Sequence, residues 1–573
     1  MGHWKKKLWL GSMALAISGH GLAKEVELFG QTVDFTLSGY VRQYLGMNLQ
    51  DKEHRRAGGG IGGMLPENAK EIGGAGELSM HRYQVKLEGS ADFGWARFVV
   101  VERSVREILT NYEKTLQDAS AIVPARLTVF GQESLDNSFL PLGKGQKDFL
   151  SEYNEDALRE AYVDFDIGSR LHFRLGRQQI AWGETDFARA MDVINGYDQR
   201  WRSFIETENE ELRKPGTMAN VTLDIPELGG SLQAVVRPGG IDSAKDYGTS
   251  LDLFGGRWAP TPVQGLNVPA WIAPYNYHHD KGDIDDTQWG LRWSGVAWQI
   301  GYSFAYWHGN LQTPVANCRR SLTNYPSIVI NPSCTPYGDP VQDTALDALA
   351  GEIIYPEQDM FGFSFNAYSV PIDTVIRGEF AFFPNQPWNY GSDTLIGLPE
   401  GTYPWFPFGD TGIRVPGLSG VIEKDTLVWM LGADKNVNLM RWLGTERPSL
   451  LTVQFFDTWI LNHDFDDDIV EVLTYGAKRR EHSPLITAAL LMNYNYDKIN
   501  PGLAVGVDPN SGDFFMIPSA NFVYGDHWRI LVEADLFFPR SKKEYFGQQE
   551  NDTHALGTTA NNSQLMVRTT YQF

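Results

Sequence analysis

The sequence predicts an all-β protein, a transmembrane antiparallel β-barrel of about eighteen strands, and three observations support this prediction. The chain begins with a short basic and apolar segment typical of an export signal. Strand-length segments in which apolar and polar residues alternate recur along the chain. The last such segment ends the chain in phenylalanine. Together these features predict an exported protein that crosses a membrane with strands.

Composition excludes several other classes. The chain has 573 residues and a net charge of −22, with 13% aromatic and only 21% charged residues. Nucleic-acid binding is not expected, because it needs a basic surface. After residue 23 no apolar run approaches the roughly 18 residues of a membrane-spanning helix. Two cysteines are too few for a cysteine-built zinc module or a disulfide-dense scaffold.

The first 23 residues are predicted to be a signal peptide. Three lysines, Lys5 to Lys7, precede the apolar run 8–17, which is too short to span a bilayer. Gly21 and Ala23 supply the small residues that signal peptidase requires, so we expect cleavage after Ala23. No cysteine directly follows the cleavage point, which argues against a lipoprotein. The mature barrel would then comprise residues 24–573, and the alternative is an uncleaved anchor helix.

The C-terminal strand predicts the destination. Its odd positions, which include Tyr571 and Phe573, are mostly apolar, whereas the even positions are mostly polar. A terminal phenylalanine with an aromatic residue two positions earlier resembles the insertion signal of bacterial outer-membrane barrels. We therefore expect the outer membrane of a Gram-negative-type envelope, with outer-membrane lipid and the barrel-assembly machinery as partners. The alternative is a secreted soluble β-protein that ends in phenylalanine.

Eighteen strands are predicted, an even number as bacterial single-chain barrels require. They lie near 35–47, 78–90, 95–103, 157–167, 171–181, 217–225, 231–237, 288–294, 297–307, 359–370, 373–383, 424–433, 448–460, 485–495, 502–507, 513–524, 527–538 and 564–573. Connections should be short inside and long outside, with a longer inner turn at 434–447 and a short outer one at 508–512. Strand 502–507 is the weakest, and its loss with one partner would leave sixteen. Closure of the barrel would satisfy the backbone in lipid, with apolar residues facing outward and polar ones facing the lumen.

One stretch resembles a known family. It contains Leu158 to Tyr162, Arg174 to Glu184 and Met191 to Asn195. It is similar to the signature of a proteobacterial outer-membrane barrel family known as domain of unknown function 1302, although Gly196 stands where a proline is expected. The resemblance implies association with a lipid-transporting exporter of the RND type and with a periplasmic protein like the lipoprotein carriers. It implies no catalytic residue and no cofactor.

The outer connection 182–216 is predicted to fold inward. Its apolar residues recur at helical spacing in two groups, Phe187, Met191 and Ile194, and Trp201, Phe204 and Ile205. An outer loop over water offers these residues no packing surface, so we expect a loop or helix that enters the barrel as a plug or constriction. The alternative is a surface lid without a gating role.

Charged residues define the expected constriction. We expect Glu184, Asp186, Arg189 and Asp192 of this connection to pair with lumen-facing residues of the wall. The candidate wall partners are Arg82, Lys86, Arg174 and Arg177. With Trp182, these eight residues are the candidate lumen and constriction residues. Lumen-facing charges are of both signs, with Arg42 and Arg568 positive and Glu533 and Asp535 negative. They therefore predict no ion selectivity.

Cys318 and Cys334, both in the outer connection 308–358, are predicted to form a disulfide that closes this loop, the alternative being two free thiols.

We do not expect an enzyme, because the sequence has no G-x-S-x-G motif and no serine stands out as a nucleophile beside His81 or His172. No metal site is expected either. The acidic run from Asp464 has Ile469 where a calcium-binding loop needs glycine.

Three functions remain open. The first is an outer-membrane channel that moves a hydrophobic or amphipathic small molecule, or a lipid, with the exporter and the carrier. The second is a passive uptake porin for a small organic nutrient. The third is a closed structural or surface barrel. The substrate, the direction of transport and the oligomeric state do not follow from the sequence.

Overall fold

The computed structural model describes much of the chain. The described residues are 22–28, 30–51, 73–114, 154–185, 189–198, 206, 208–241, 275–276, 283–312, 315–318, 329–331, 337, 351–392, 395–397, 413–414, 417, 419–470, 478–540, 556, 559 and 562–573.

Nineteen strands form one antiparallel sheet, and eighteen of them close into a barrel. The barrel strands are β1 Gln31–Asn48, β2 Leu78–Asp92, β3 Ala96–Glu107, β4 Glu155–Ile167, β5 Leu171–Gln178, β6 Gly216–Ile225, β7 Gly230–Arg237, β8 Gln288–Ala297, β9 Ile300–Asn310, β10 Glu357–Ser369, β11 Thr374–Tyr390, β12 Gly420–Val437, β13 Ser449–Ile460, β14 His482–Leu491, β15 Ile499–Val507, β16 Phe514–Tyr524, β17 Trp528–Phe538 and β18 Gln564–Gln572. Each strand pairs with the next along the chain, and β18 pairs with β1. The predicted strand number and closure are confirmed.

Short turns gather at one end of the barrel and long connections at the other. Short 3₁₀ turns such as Pro226–Leu228 and Val370–Ile372 join neighbouring strands at the short-turn end. The connection between β12 and β13 is longer there and contains the helix Met440–Leu443. The weakest predicted strand is β15, and the short turn after it lies at the long-loop end as predicted. The predicted alternation of connections is therefore confirmed.

Two small sheets and two 3₁₀ turns lie at the long-loop end of the barrel. Two small sheets are built from Val315–Cys318, Gly351–Ile354 and Tyr275–Asn276, and from Val329–Asn331, Leu395–Gly397 and Ile413–Arg414. Two 3₁₀ turns, Ile284–Asp286 and Phe465–Asp467, are each capped by an aspartate.

The outer face of the barrel is apolar and rich in aromatic rings. Phe304, Phe361 and Val100 are about half exposed in the isolated chain, although they lie on strands. Rings on adjacent strands lie against one another, as Phe380 and Trp429 do with ring centroids 6.2 Å apart. This is the surface that a barrel needs where it faces lipid. No helix among the described residues is both long and apolar enough to cross a membrane.

The two ends of the chain meet where the barrel closes. The backbone of Phe573 exchanges two hydrogen bonds with Gly39 of β1, at 3.0 and 3.1 Å. Gly39 has no side chain to occupy the space beside the Phe573 ring. Tyr571 stacks edge-on against Trp528 at 4.9 Å. The predicted insertion-signal residues thus complete the closing strand, and their role in insertion stays a prediction.

The N-terminal strand Leu22–Leu28 pairs with the first part of β1, residues 31–37, whereas β18 pairs with the later part, residues 40–48. Residues 1–21 lie outside the described part of the chain, so signal-peptide cleavage after Ala23 stays a prediction.

A β-bulge in β4 places two consecutive polar residues on the inner face. Val101 pairs with Glu160 and Glu102 with Leu158, which leaves Arg159 as the additional residue. Arg159 and Glu160 therefore both point into the lumen, where one alternating strand would admit only one of them. The bulge falls inside the family-like stretch noted in the sequence.

Candidate constriction of the barrel lumen

The described part of residues 182–216 lies inside the barrel. It is mostly irregular, and its one helix is the single turn Asn209–Leu212. Met191 and Ile194 are fully buried, as an inward fold requires, but bends rather than the predicted helix position them. We call residues 182–216 the inward segment.

The first half of the inward segment packs on the inner face of β6 to β11. Trp182 is 1% exposed and meets Trp307 of β9 edge-on, with ring centroids 5.9 Å apart. Its indole Nε1 donates to Gln233 Oε1 at 2.9 Å. The same apolar cluster also contains Ile180, Ala190, Met191, Ile194, Met218, Val235, Ala305, Met360, Ala381 and Phe383. Burial of this many side chains makes this half a firm anchor.

Glycines in the wall make room for this anchor. A β-carbon on Gly362 of β10 would lie 2.6 Å from the Met191 methyl group. A β-carbon on Gly290 of β8 would lie 2.8 Å from the Trp182 ring. The absence of side chains at these two glycines therefore leaves the space that Met191 and Trp182 occupy.

Glu379 of β11 ties the backbone of the inward segment to the wall. The Glu379 carboxylate is fully buried and accepts hydrogen bonds from the amides of Glu184 at 2.7 Å and Met191 at 2.5 Å. Arg377, two residues earlier, donates to the Glu184 carbonyl at 2.7 Å. Charged groups thus bind backbone groups that would otherwise lack partners inside the barrel.

The second half of the inward segment reaches the opposite wall. Tyr197 and Leu212 pack against Tyr44 of β1, Met80 of β2 and Met566 of β18. These strands are about half of the ring of eighteen away from β9 to β11. The inward segment therefore crosses the lumen and is anchored on both sides.

A buried ion pair holds the two halves of the inward segment together. Arg213 Nη2 lies 2.5 Å from Asp192 Oδ2, and the Tyr197 hydroxyl donates to the same carboxylate. The guanidinium of Arg189 stacks on the Tyr197 ring at 3.7 Å. Asn195, which is fully buried, accepts from the Ile180 amide and donates to the Lys214 carbonyl.

Acidic residues of the inward segment meet a row of basic residues on β1 to β4 and β18. The row comprises Arg42, Lys86, Arg103, Arg159 and Arg568, and the acidic residues are Glu206, Glu208, Glu210 and Glu211. We call these two sets the basic row and the acidic cluster. Glu208 binds Arg42 at 2.7 Å and Arg568 at 2.9 Å.

Glu211 is the most enclosed member of the acidic cluster. Burial raises the pKa of its carboxyl, but the charges of Arg103 and Lys86 and a hydrogen bond from Tyr40 outweigh burial and hold the pKa at about 2. Glu211 therefore stays ionised at physiological pH, and its attachment to the wall persists through mild acidification.

A cavity of about 560 Å³ remains between the inward segment and strands β11 to β17. Its described lining is mostly small, apolar or hydroxylated: Leu450, Thr452, Gln454, Thr487, Ala489, Leu491, Gly502, Leu503, Ala504, Ile517 and Ser519, with Asn209. The charged lining residues described are Glu206, Arg377, Asp434 and Glu533. Arg377 and Asp434 pair with each other at 2.7 Å. The inward segment thus covers the basic row, and the space left beside it is lined mostly by apolar or weakly polar residues.

The pairs predicted for Glu184, Arg189 and Asp192 with the wall are not those that the described residues form. Lys86 binds the acidic cluster, whereas Arg82 binds Glu107 and Arg174 binds Asp164, both on neighbouring strands. Register explains this, because Arg82 lies directly opposite Glu107, and Arg174 directly opposite Asp164, on the neighbouring strand.

The partners of Glu184, Arg189 and Asp192 also differ from the expectation. Glu184 faces Asn366 at 3.4 Å, Arg189 faces Gln312, and Asp192 pairs within the inward segment. Asp186 lies outside the described residues.

Arg177 is not a lumen residue. Its register opposite Ala161 puts it on the outer face of β5, where Nε donates to the Leu158 carbonyl at 3.1 Å. Strand alternation decides this, since Arg174 and Arg177 are an odd number of residues apart and face opposite sides.

Sequence reasoning missed Glu379, Arg103 and Arg159 as anchors of the inward segment. The bulge hides the inward direction of Arg159, and Glu379 is remote in sequence from the residues it binds. The four closely spaced glutamates between 206 and 211 could have indicated this contact, because such an acidic cluster needs a basic surface if it is buried.

The remaining motifs are structural where they are described. His172 bridges Asp166 and Asp224 on the inner wall, at 2.5 and 3.1 Å. Asp464 caps a 3₁₀ turn. Cys318 ends a short strand, but Cys334 lies outside the described residues, so the disulfide stays a prediction.

Comparison with known proteins places the chain in a family. Solved structures similar in fold include Acinetobacter baumannii OccAB1, with 8% identity, 94% of this chain and 96% of that chain covered, and a TM-score of 0.38. Another is the anion-selective porin from Comamonas acidovorans, with 9% identity, 94% and 100% coverage, and a TM-score of 0.33. None of the curated proteins compared with the sequence matches it significantly. A family model described as a protein of unknown function, DUF1302, matches residues 12–573, and the chain therefore belongs to this family.

Proposed function

We propose that this protein is an outer-membrane channel for small hydrophobic or amphipathic molecules, narrowed by the inward segment. One observation carries the proposal: the inward segment crosses the lumen, is anchored on both walls and leaves a weakly polar cavity on one side. Such a cavity favours solutes with an apolar body, because charged solutes would lose hydration without gaining partners. The apolar outer face of the barrel, rich in aromatic rings, supports an outer-membrane location.

The first test is the conductance of the purified barrel in a planar bilayer. We expect the intact protein to be almost silent and a variant lacking residues 184–212 to show stable stepwise currents. Heat-modifiable mobility in gel electrophoresis controls for correct folding of the variant. A folded deletion variant that remains silent would contradict a channel role and favour a closed structural barrel, whereas large currents from the intact protein would favour a passive porin.

We further propose that an exporter of the RND type and a periplasmic carrier work with this channel and dock at its short-turn end. Supporting this, Trp442 and Leu443 of the turn between β12 and β13 are 84% and 49% exposed. This turn is braced by the next one, through an Arg447–Asp497 ion pair at 2.8 Å and a bond from the Tyr494 hydroxyl to the Leu443 carbonyl. A braced apolar projection suits a docking contact.

Replacing Trp442 with aspartate should abolish partner-dependent transport in cells while leaving the barrel folded and inserted. The reason is that a charge at the centre of an apolar contact prevents its desolvation. The matched control is Trp298→Asp, which alters an equally exposed tryptophan on another short turn, 95% exposed. Unimpaired transport by the Trp442 variant would exclude docking at this turn.

A further inference from the structure

The wall holds a carboxylate with two arginines from adjacent strands. Both terminal nitrogens of Arg42, on β1, donate hydrogen bonds to the Glu208 carboxylate, at 2.7 and 3.2 Å. Arg568 of β18 reaches the same carboxylate at 2.9 Å and also contacts Glu206 at 3.4 Å. Two-nitrogen binding of this kind is specific for carboxylate and phosphate geometry.

The barrel itself organises these arginines. Arg42 Nε donates to Thr570 Oγ1 at 3.1 Å, and its guanidinium lies 4.0 Å from the centre of the Tyr40 ring. The side chain of Arg42 is 7% exposed and that of Arg568 is 14% exposed. Since Tyr40 and Thr570 belong to the wall, Arg42 would keep these contacts if the inward segment withdrew.

The arginine pair adjoins the cavity. Glu206, which contacts Arg568, also lines the cavity, together with Asn209 of the same segment. On the far side the lining is apolar or weakly polar, including Ala489, Ala504 and Ile517. The cationic pair and the cavity of about 560 Å³ are thus neighbours, with Glu206 of the inward segment contacting both.

We infer that this site binds an amphipathic organic anion, whose carboxylate replaces Glu208 between Arg42 and Arg568 and whose apolar body enters the cavity. Glu208 is then a built-in competitor, and the anion that displaces it weakens the hold of the inward segment on β1 and β18. The solute would open its own path. This inference rests on the proposed channel function and names its substrate class.

Binding is tested by equilibrium dialysis of radiolabelled octanoate at pH 8 against the folded full-length barrel in maltoside detergent, with detergent alone as the blank. We expect Glu208→Gln, which removes the competitor, to bind at least tenfold more tightly than the intact protein. The double variant Arg42→Gln/Arg568→Gln should lose binding. Acetate and octyltrimethylammonium should not compete, because one lacks the apolar body and the other the negative charge.

The matched control is Glu227→Gln, on a short turn away from the inward segment, where the carboxylate pairs with Arg170 and its side chain is 60% exposed. Its octanoate affinity should equal that of the intact protein. Equal affinity of the intact protein and the Glu208 variant, or unchanged binding by the double arginine variant, would overturn the inference.

Conductance separates this inference from the proposed function. Octanoate at the short-turn side should raise the open fraction of the intact barrel at least tenfold. If deletion of 184–212 opens the channel but octanoate neither binds nor activates, the inference alone fails. If the folded deletion variant is silent, the channel function fails whatever octanoate does.

Discussion

Replacing Trp182 with alanine is expected to turn a nearly silent barrel into one that conducts often. Trp182 is 1% exposed, packs edge-on against Trp307 and donates a hydrogen bond to Gln233. Truncation of a buried tryptophan costs about 3–5 kcal/mol. If that cost falls on docking of the inward segment, its undocked population rises by about a hundredfold or more.

The measurement is the fraction of time in which single barrels conduct in a planar bilayer. Trp289→Ala is the matched control, because Trp289 lies on the outer face of β8 and is 40% exposed. It should leave the open fraction unchanged. A folded Trp182 variant as silent as the intact protein would show that the first anchor does not hold the channel closed.

Replacing Asp192 with asparagine is expected to release the inward segment by a different route. The change leaves Arg213 without its carboxylate partner in a site where the arginine side chain is 11% exposed. Removing one member of a buried pair costs about 3–5 kcal/mol, because the remaining charge stays desolvated. Release should expose the peptide bond between Arg213 and Lys214, so trypsin should cut there far faster than in the intact protein.

Two companion variants make this result specific. Glu227→Gln breaks the exposed Arg170–Glu227 pair, whose side chains are 53% and 60% exposed, and should change little, since such pairs contribute about 0–1 kcal/mol. The double variant Asp192→Leu/Arg213→Met removes both charges, and it should conduct as rarely as the intact protein in a planar bilayer; conductance is the readout because this variant lacks the arginine at which trypsin would cut. Frequent conduction by the folded double variant, or no cleavage of the single variant, would contradict a role of the ion pair in docking.

Much of the barrel could be predicted from the sequence because lipid imposes a local rule. A strand between lipid and water alternates apolar and polar residues, and that period is visible residue by residue. The predicted export signal and the terminal aromatic strand further indicated an outer-membrane destination. The family-like stretch was visible too, and four of its residues, Arg159, Trp182, Asp192 and Asn195, share the role of holding the inward segment.

The sequence by itself therefore determined the fold class and the order of turns, and it favoured eighteen strands and an inward packing of 182–216. Tertiary structure alone decided which charges meet. Contacts such as Glu379 with the Glu184 amide join residues far apart in the chain, and they depend on which strands the inward segment crosses. The bulge at Arg159 changed the inner face in a way that strict alternation does not reveal, whereas the outward position of Arg177 follows from alternation. The constriction, its basic row and the cavity beside it are consequences of closing the barrel around the inward segment.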